Sequence, residues 1–399
     1  MEPAHHRRVE RGNWRLTRPL CNEAIADSDN ASVIRGRCHP PAWQTVIFAN
    51  NPVVWIGWAI LFATLDRHWS FNDFLTFRRA AADLIHAHSP YPPPTPRVLA
   101  HGLSFVYPPI AAYPFIPFAA LPAHVAIVVY LVASLAAIGV ALWLVGVRDW
   151  RILGVVALWE PLFMWLIEGP IEPWLLLLLA IGWRWRGRTL RLAAVVALLV
   201  SAKLFLWPLL LWLLATRRRR CLIAASAMTG IFVVLPFANA GLQALRSYPH
   251  VLRTLAAVFG PSSFSLLAVF DSFTSRLGAQ LALLAAAIAL FALVCVVGNR
   301  EDGDRRAFCA AVVGAVLLSP IVWAHYFLLL AIPIALVRPK LSLLWGAPLF
   351  LWATGSAALG EPHRLAIGLL VPLMVLAASC RVHPTRRVEA ASVPGAAAD

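Results

Sequence analysis

Long apolar stretches separated by short, Arg-rich clusters run through most of this chain. The mean hydropathy is +0.73 and only 13% of the 399 residues are charged, whereas soluble domains have about 25% charged residues. A soluble core of this size cannot hide so much apolar surface, so the lipid bilayer must be the solvent for most of the chain. Because a helix satisfies its own backbone hydrogen bonds in lipid, the sequence predicts an all-α polytopic membrane protein.

The Arg clusters also indicate how the chain is oriented. They occur in short loops such as 184–191, 217–220 and 300–306, and cytoplasmic loops of membrane proteins carry an excess of Lys and Arg. The net charge of +15 is therefore interpreted as membrane topology, and no nucleic-acid partner is expected. Both termini are predicted to be cytoplasmic, with a basic tail over 1–43, a membrane domain over 44–381 and a disordered tail over 382–399.

The spacing between the clusters predicts two kinds of membrane segment. Full crossings are predicted at 44–65, 123–147, 221–238, 277–298, 341–360 and 365–380, with long outer loops at 66–122 and 239–276. The stretches 152–183, 192–216 and 307–337 have Arg at both ends, yet each is too short to cross a hydrocarbon core of about 30 Å twice. Each is therefore predicted to be a paired short hairpin, which gives about 12 membrane segments in total.

Polar or helix-breaking residues lie at the predicted tip of each hairpin. The tips are Glu168 to Pro173, Lys203 to Pro208 and Ser319 to His325. A tip that stops at membrane depth leaves backbone groups without partners unless it lines a watery, protein-walled cavity. The sequence therefore predicts one polar cavity on the side opposite the Arg-rich loops.

The first outer loop contains one face of an amphipathic helix. Phe74, Phe77, Ala81, Leu84 and His88 follow one another at spacings of three and four, which is typical of a helix with one apolar face. We expect this helix to lie along the outer interface of the membrane. Asn72 or Asp73 is predicted to be its N-cap.

Several of these residues occur in an order that resembles a known family. In chain order they are Asp73-Phe74 entering a helix with Ala80 to Ala82, Pro90-Tyr91, Phe105 to Pro109, Lys203 with Pro208, Ser319-Pro320, Trp323 and His325-Tyr326. The set, spread over most of the predicted membrane domain, resembles glycosyltransferase family 87. These are the polyprenol-phosphate-mannose-dependent mannosyltransferases of the C-type glycosyltransferase superfamily.

The resemblance implies a fold, a reaction and a place in the cell. It implies a C-type glycosyltransferase-like bundle with an extracytoplasmic active site, a polyprenyl-phosphate hexose donor (mannose first) and a lipid or glycan acceptor. It also implies inverting transfer without a metal, and a catalytic Asp in the first outer loop. The richness in Ala and Arg is typical of a GC-rich bacterial genome, so a bacterial plasma membrane is expected.

The first hairpin tip departs from the pattern of that family. The family often carries Gly-Gln-x-Asn at this tip, whereas this chain has Gly169-Pro170-Ile171-Glu172. If the tip contacts the sugar or the acceptor, Glu172 becomes a candidate substrate-binding residue, and the specificity of this chain differs from that of typical members.

Transfer from a polyprenyl-phosphate sugar needs few protein groups, because the phosphate leaves as a stable anion without a general acid. One carboxylate that takes the proton from the attacking hydroxyl is enough, unlike the carboxylate pair of a glycosidase. Asp73 is the first candidate, because it lies at the start of the amphipathic helix, near the membrane surface. Asp66, at the exit of the first helix, is the second. A plain helix N-cap remains the alternative for Asp73.

Cationic side chains are the candidates for binding the donor phosphate. Arg78 and Arg79 follow Asp73 by about a turn and a half, and the Arg fork suits phosphate. Contact with lipid headgroups is the alternative for both. Lys203 lies at hairpin depth, where a lone ammonium is costly. It either binds the phosphate or forms a buried pair with Glu168 or Glu172.

Three further side chains are candidates for contacting the substrate. His325 could hydrogen-bond the phosphate or the sugar, with a packed or capping role as the alternative. Tyr107 and Trp323 could stack on a sugar ring, although aromatic residues at membrane interfaces often belong to the aromatic belt. His325 with His88 or His101 gives no metal-ligand spacing on one helix face. No metal site and no cofactor are predicted, and without a Gly-rich phosphate loop a nucleotide-sugar donor is not expected.

Two other functions fit part of the pattern. Broken hairpins around a midplane cavity are typical of transporters, so a transporter or flippase of lipid-linked sugars is the main alternative. It predicts that Lys203 and Glu172 matter and that Asp73 does not. A catalytically silent scaffold of the same fold is a third interpretation. The long outer loops with an amphipathic helix favour the glycosyltransferase, because a transporter core needs no such platform.

Overall fold

The structure is a computed structural model that describes residues 70–91, 93, 95–100, 104–355 and 361–381. Within these ranges every regular element is a helix, and there is no strand. This agrees with the all-α prediction and with the rule that lipid-embedded backbone must bond to itself. The predicted first crossing at 44–65, the two tails and Asp66 lie outside the described residues.

Four helices are long and apolar enough to cross a membrane. They are Ala123–Leu144, Arg219–Ala240, Arg276–Gly298 and Pro362–Cys380, and they match four of the predicted crossings. Only 17% to 39% of the residues in the apolar part of each helix are buried inside the protein. These helices therefore present most of their surface outwards, as lipid-facing helices do.

Two bent pairs of helices are also long and apolar enough to cross a membrane if each pair is taken as one segment. Trp150–Ala157 and Glu160–Glu168 meet at 63°, and Leu242–Ser262 and Leu266–Phe273 meet at 72°. The described residues therefore contain four candidate spans, or six if each bent pair is one span. The protein is a multi-pass helical membrane protein, and the total of about 12 segments stays a prediction.

One predicted crossing is shorter in the structure. In place of a full helix over 341–360, an apolar helix runs over Leu343–Thr354. It consists of Leu343–Gly346 followed by 3-10 turns over Ala347–Thr354. The helix ends because Gly355 has a φ of 67°, a left-handed conformation that favours glycine and terminates helices.

Each of the three stretches predicted as hairpins contains helices on both sides of its polar tip. The helices are Trp150–Ala157, Glu160–Glu168 and Glu172–Arg184 in the first stretch; Thr189–Ala202, Leu204–Leu206 and Pro208–Ala215 in the second; and Gly303–Leu318, Ala324–Leu330 and Ala331–Val337 in the third. In the third stretch nearly every residue from Arg306 to Ala335 is buried. The short, polar-tipped segments thus form the centre of the protein, and the long apolar helices surround them.

The two stretches predicted as outer loops are also helical. The first contains Asn72–Ile85, called here the outer-loop helix, followed by Pro96–Leu99 and the continuous turns of Pro109–Ala119. The second contains Phe237–Ala240, then Leu242–Phe259, called here the cover helix, and then Leu266–Phe273. The predicted apolar face of the outer-loop helix is buried at Phe74, Phe77, Ala81 and Leu84. The helix ends at Ile85, so His88 lies beyond it and is exposed.

The helix Gly303–Leu318 runs from the Arg-rich loops to the cavity formed by the polar tips. Near its start, the Asp304 carboxylate pairs with Arg218 at 2.8 Å and with Arg186 at 3.4 Å. At its other end, Leu318 and Ser319 line a cavity. A helix of 16 residues separates these ends by about 24 Å. The polar cavity and the Arg-rich loops therefore lie at opposite ends of the helix bundle, as predicted.

Candidate active site

The candidate site is a cavity of about 650 Å³, called here the main cavity. Its wall combines both outer loops with all three predicted hairpin tips. The polar and aromatic side chains in the wall are Asn72, Asp73, Ser104, Tyr107, Glu168, Lys203, Phe205, Trp207, Tyr248, Phe259, Ser319, Trp323, His325 and Tyr326. The volume is in the range of small-molecule sites. Among the described residues, the three predicted tips therefore line one cavity.

Asp73 faces this cavity with a carboxylate that is not used for capping. The outer-loop helix begins at Asn72, and its N-cap is Phe71, which has a φ of 43° and no side-chain cap. The prediction of Asn72 or Asp73 as N-cap was wrong, because the N–H of Phe71 donates to the Ile167 carbonyl at 2.9 Å and starts the helix earlier. Among the described residues no side chain or backbone group hydrogen-bonds the Asp73 carboxylate.

The surroundings of Asp73 make it a stronger base than an ordinary aspartate. Burial raises the pKa of its carboxyl from 3.8 to about 7, since a charged carboxylate loses hydration when buried. The charge of Lys203 opposes this rise in pKa, and the charges of Glu172 and Glu168 add to it. A base with a pKa near 7 is well matched to proton transfer at neutral pH.

The first hairpin tip packs directly against the start of the outer-loop helix. Gly169 has a φ of 68°, and a Cβ added there would lie 2.9 Å from the Cβ of Phe74. Ser70 donates to the Glu168 carboxylate at 3.3 Å. On the other side of the tip, the Pro170 carbonyl accepts from Tyr130. Glycine is therefore required at Gly169, and the tip fixes where the helix that carries Asp73 begins.

Lys203 lies at the second tip and forms a buried ion pair with Glu172 of the first tip. The side chains of both residues are at most 2% exposed. Glu172 also lies 3.6 Å from Nε2 of His325 at the third tip. The Lys203 ammonium lies 4.0 Å from the centre of the Tyr326 ring and 5.1 Å from that of Tyr107, close enough for cation–π attraction.

This cluster joins the predicted residues Lys203, Glu172, His325 and Tyr107. Of the two carboxylates considered as partners of Lys203, the structure selects Glu172. The second carboxylate oxygen of Glu172 and Nε2 of His325 are buried without a hydrogen-bond partner among the described residues. Buried polar atoms of this kind are normally satisfied, so a water or a bound ligand is expected to complete the site.

Tyr107 of the first predicted outer loop and Trp323 of the third tip both line the main cavity. The ring of Tyr107 stacks on Phe77 at 4.7 Å, and its carbonyl accepts from Tyr91 at 2.7 Å. Trp323 packs edge-on against Phe259 of the cover helix at 5.3 Å. Both aromatic side chains are thus held by packing, and each leaves part of its surface to the cavity.

The two predicted phosphate-binding arginines are not in the main cavity. Arg78 donates to the carbonyls of Phe118 at 3.0 Å and Leu121 at 2.8 Å. It thereby binds the end of a helix in its own loop. Arg79 is exposed on the outer-loop helix. The lining contains neither residue, because at about 3.6 residues per turn both lie away from the buried face of the helix.

The sequence interpretation missed several cavity residues. Glu168, Ser104, Tyr248 and Tyr326 line the cavity without having been named as site residues. Tyr326 was signalled by its position next to His325, and Glu168 by its place at the first tip. Tyr248 could not be foreseen, since nothing in the sequence shows that the cover helix folds over the first outer loop.

The fold and the cavity define a class of protein. It is a multi-pass membrane protein with a cavity in which a free carboxylate accompanies a buried Lys–Glu pair and a histidine. The comparison with known families is more specific. Residues 105–322 match the model of glycosyltransferase family 87. Because this match covers more than half of the 399 residues, the chain belongs to glycosyltransferase family 87. It is therefore a membrane glycosyltransferase.

The matched region includes Tyr107, Glu172 and Lys203 and ends just before Trp323 and His325. Asp73 precedes it. No curated protein and no solved structure matches the chain.

Proposed function

We propose that this enzyme transfers a hexose from a polyprenyl-phosphate donor to a lipid or glycan acceptor, with Asp73 as general base. The observation that carries the proposal is the placement of the free Asp73 carboxylate in one cavity with Lys203 and His325. These are the groups that such a transfer needs: a base for the acceptor hydroxyl and cationic or hydrogen-bonding partners for the donor phosphate.

The reaction is a single displacement with inversion. The acceptor oxygen attacks the anomeric carbon of the donor sugar and forms the new glycosidic bond. Asp73 takes the proton of the attacking hydroxyl, and the bond from the anomeric carbon to the phosphate oxygen breaks. The polyprenyl phosphate leaves as a stable anion, so the site needs no second carboxyl group as an acid.

Lys203 and His325 are the proposed partners of the donor phosphate, in place of Arg78 and Arg79. The Lys203 ammonium has three N–H donors, and Glu172 occupies one of them. The His325 Nε2 atom is buried without a hydrogen-bond partner among the described residues. A phosphate oxygen at this point would satisfy both groups.

The apolar part of the main cavity suits a lipid-linked donor. Leu252, Leu255 and Phe259 of the cover helix line it, together with Leu99 and Met164. A prenyl chain needs such a wall beside a polar pocket, because its apolar surface gains about 25 cal/mol for each Å² removed from water. We propose that Tyr107 and Trp323 contact the sugar ring between these two parts.

Mannose is the first sugar to test, because the chain resembles polyprenyl-phosphate-mannose-dependent enzymes. Glu172 is proposed as the main determinant of any difference in specificity. We place the site on the extracytoplasmic face of a bacterial plasma membrane, with both termini cytoplasmic, because the Arg-rich loops lie at the opposite end of the helix bundle. No metal and no cofactor take part in the proposed reaction.

The proposal is tested by transfer of radiolabelled mannose from polyprenyl-phosphate mannose in membranes that contain wild type or Asp73→Asn. Loss of the base is expected to lower transfer by about 100-fold or more. Asp83→Asn is the matched control, since Asp83 lies on the same helix outside the cavity lining and should retain activity.

Equal transfer by the wild type and by Asp73→Asn would exclude Asp73 as the base and make Asp66 the next candidate. A transporter or flippase of lipid-linked sugars would instead move the donor across the membrane without transfer, and would depend on Lys203 and Glu172 alone. Family membership favours the transferase.

A further inference from the structure

A second cavity, called here the Arg cavity, lies at the opposite end of the bundle. It has a volume of about 530 Å³ and is formed by the loops that precede the helices Thr189–Ala202 and Arg219–Val234. Its charged lining residues are Arg186, Arg217, Arg218, Arg219 and Arg220. No carboxylate is among the lining residues, so the cavity is strongly positive.

Only part of this charge is compensated by the residues that the structure describes. Asp304 pairs with Arg186 and Arg218, and Arg218 also donates to the Arg186 carbonyl at 2.7 Å. These contacts hold the two loops together. No ion pair to Arg217, Arg219 or Arg220 occurs among the described residues. Three guanidinium groups on one side of the cavity are thus available to an external anion.

The backbone at Arg217 supports a role for its side chain. Arg217 has a φ of 57° and follows the end of the helix Pro208–Ala215, where its N–H donates to the Leu214 carbonyl. This is the left-handed position after a helix that glycine normally occupies. A non-glycine residue is disfavoured there. The chain nevertheless has a long cationic side chain at this point.

The starts of two helices add to the preference for an anion. The helices that begin at Thr189 and Arg219 have Arg188 and Arg218 as N-caps, and neither N-cap supplies a side-chain cap. Thr189 and Cys221, in the first turns of these helices, line the cavity. Free backbone N–H groups and the helix dipole favour negative charge at such positions.

Apolar side chains within one turn of the cavity indicate where it lies in the membrane. Leu190 is 68% exposed and Ile223 is 69% exposed, one on each helix. Exposed apolar residues beside arginines are typical of the boundary between headgroups and acyl chains. A phospholipid bound here would place its phosphate among the arginines and its chains along these helices.

We infer that the Arg cavity binds the phosphate headgroup of an anionic phospholipid. Clusters of Arg at the cytoplasmic membrane surface attract such lipids. The arrangement of the arginines around the Arg cavity, rather than the total charge of this end of the protein, selects and retains the lipid. The inference does not depend on the proposed reaction, because the Arg cavity and the main cavity lie at opposite ends of the helix bundle.

The test is native mass spectrometry of the full-length protein in detergent, titrated with phosphatidylglycerol or phosphatidylcholine. The triple variant Arg217→Gly, Arg219→Gln, Arg220→Gln is expected to bind phosphatidylglycerol about 100-fold more weakly, at roughly a fivefold loss for each arginine. The control variant Arg184→Gln, Arg300→Gln, Arg381→Gln removes the same charge from exposed residues outside the cavity and should bind nearly as wild type does.

Equal loss of binding in the two triple variants would overturn the inference, because surface charge alone would then explain the binding. Retention of phosphatidylcholine as strongly as phosphatidylglycerol would overturn it too. If inorganic phosphate raises the Tm of the wild type and phosphatidylglycerol does not, the ligand is a free anion and the lipid assignment is wrong.

The single variant Arg217→Gly separates binding from folding. Glycine fits the left-handed backbone at this position, so we expect an unchanged or higher Tm together with about fivefold weaker binding of phosphatidylglycerol. A higher Tm with unchanged lipid binding would show that Arg217 takes no part in the site.

Discussion

The two cavities of this enzyme are similar in size but differ in how far their charged side chains are paired within the protein. Among the described residues, the main cavity is lined by two carboxylates, Asp73 and Glu168, and by one cation, Lys203, which pairs with the buried carboxylate of Glu172. The Arg cavity is lined by five exposed or half-buried arginines, and among the described residues only Arg186 and Arg218 pair with a carboxylate, that of Asp304.

The difference follows from solvent access. A buried charge must find a partner within the protein, because desolvation costs several kcal/mol for each ion. An exposed charge keeps its hydration and can remain unpaired. The buried charges at the main cavity are therefore held in place by partners within the protein, whereas the exposed charges at the Arg cavity remain available to a ligand. Four predictions test this contrast, from the largest expected effect to the smallest.

The strongest test removes one member of the buried pair. Lys203→Met leaves Glu172 buried without its cation, and we expect the free energy of unfolding to fall by about 3–5 kcal/mol. Thermal unfolding of the purified protein in detergent measures the change. Lys340→Met is the control, because Lys340 is exposed and should have little effect on Tm.

The double variant Lys203→Met, Glu172→Gln completes this test. With both charges removed, most of the lost stability should return, while transfer of mannose should stay low because the donor phosphate has lost Lys203. If Lys203→Met is as stable as wild type, another group compensates the charge of Glu172. The main cavity would then not depend on the Lys203–Glu172 pair, and the proposed difference between the two cavities would be wrong.

The second prediction concerns the tip that positions Asp73. Gly169→Ala adds a Cβ at a left-handed residue and against Phe74, so we expect a loss of about 2 kcal/mol in stability and reduced transfer. Gly139→Ala is the control. A Cβ at Gly139 meets nothing within 4 Å, and in this helix interior the change should be neutral or slightly stabilising. Equal Tm values for Gly169→Ala and Gly139→Ala would show that the first hairpin tip accommodates the added Cβ without loss of stability.

Much of this architecture could be predicted from the sequence. The apolar stretches and Arg clusters predicted the lipid-facing helices, since the bilayer imposes length and charge rules on each segment separately. The spacing of Phe74, Phe77, Ala81 and Leu84 predicted the buried face of the outer-loop helix. The polar tips predicted which segments meet at the cavity, because polar groups at membrane depth need one another.

The remaining features depend on contacts between distant segments. The sequence shows that Arg78 and Arg79 follow Asp73, but the carbonyls that bind Arg78 lie about 40 residues away along the chain. Phe71 replaces Asp73 as N-cap because of a hydrogen bond to Ile167. The choice of Glu172 over Glu168 as partner of Lys203 depends in the same way on how two hairpins pack.

The third prediction uses the pKa of Asp73. Because the base must be ionised, transfer should fall as the pH drops below about 7 and reach a plateau above it. Glu168→Gln removes a negative charge that raises this pKa, so the midpoint should move to lower pH by about half a unit. The pH profile of kcat/KM measures both. A midpoint that stays in place in Glu168→Gln would show that Glu168 does not act on the base.

The smallest effect is expected at the Arg-rich end, where Asp304→Asn removes the only carboxylate that pairs with Arg186 and Arg218 among the described residues. The Asp304 side chain is 30% exposed, and asparagine can still accept the hydrogen bond that Trp212 donates at 2.8 Å. We therefore expect a loss of less than about 1 kcal/mol, which shrinks further as salt screens the pair. Unfolding curves at low and high ionic strength measure it. A loss of stability as large as that of Lys203→Met, and independent of salt, would mean that the arginines need an internal counter-charge as strictly as Lys203 does. Solvent access would then not explain the difference in charge compensation between the two cavities.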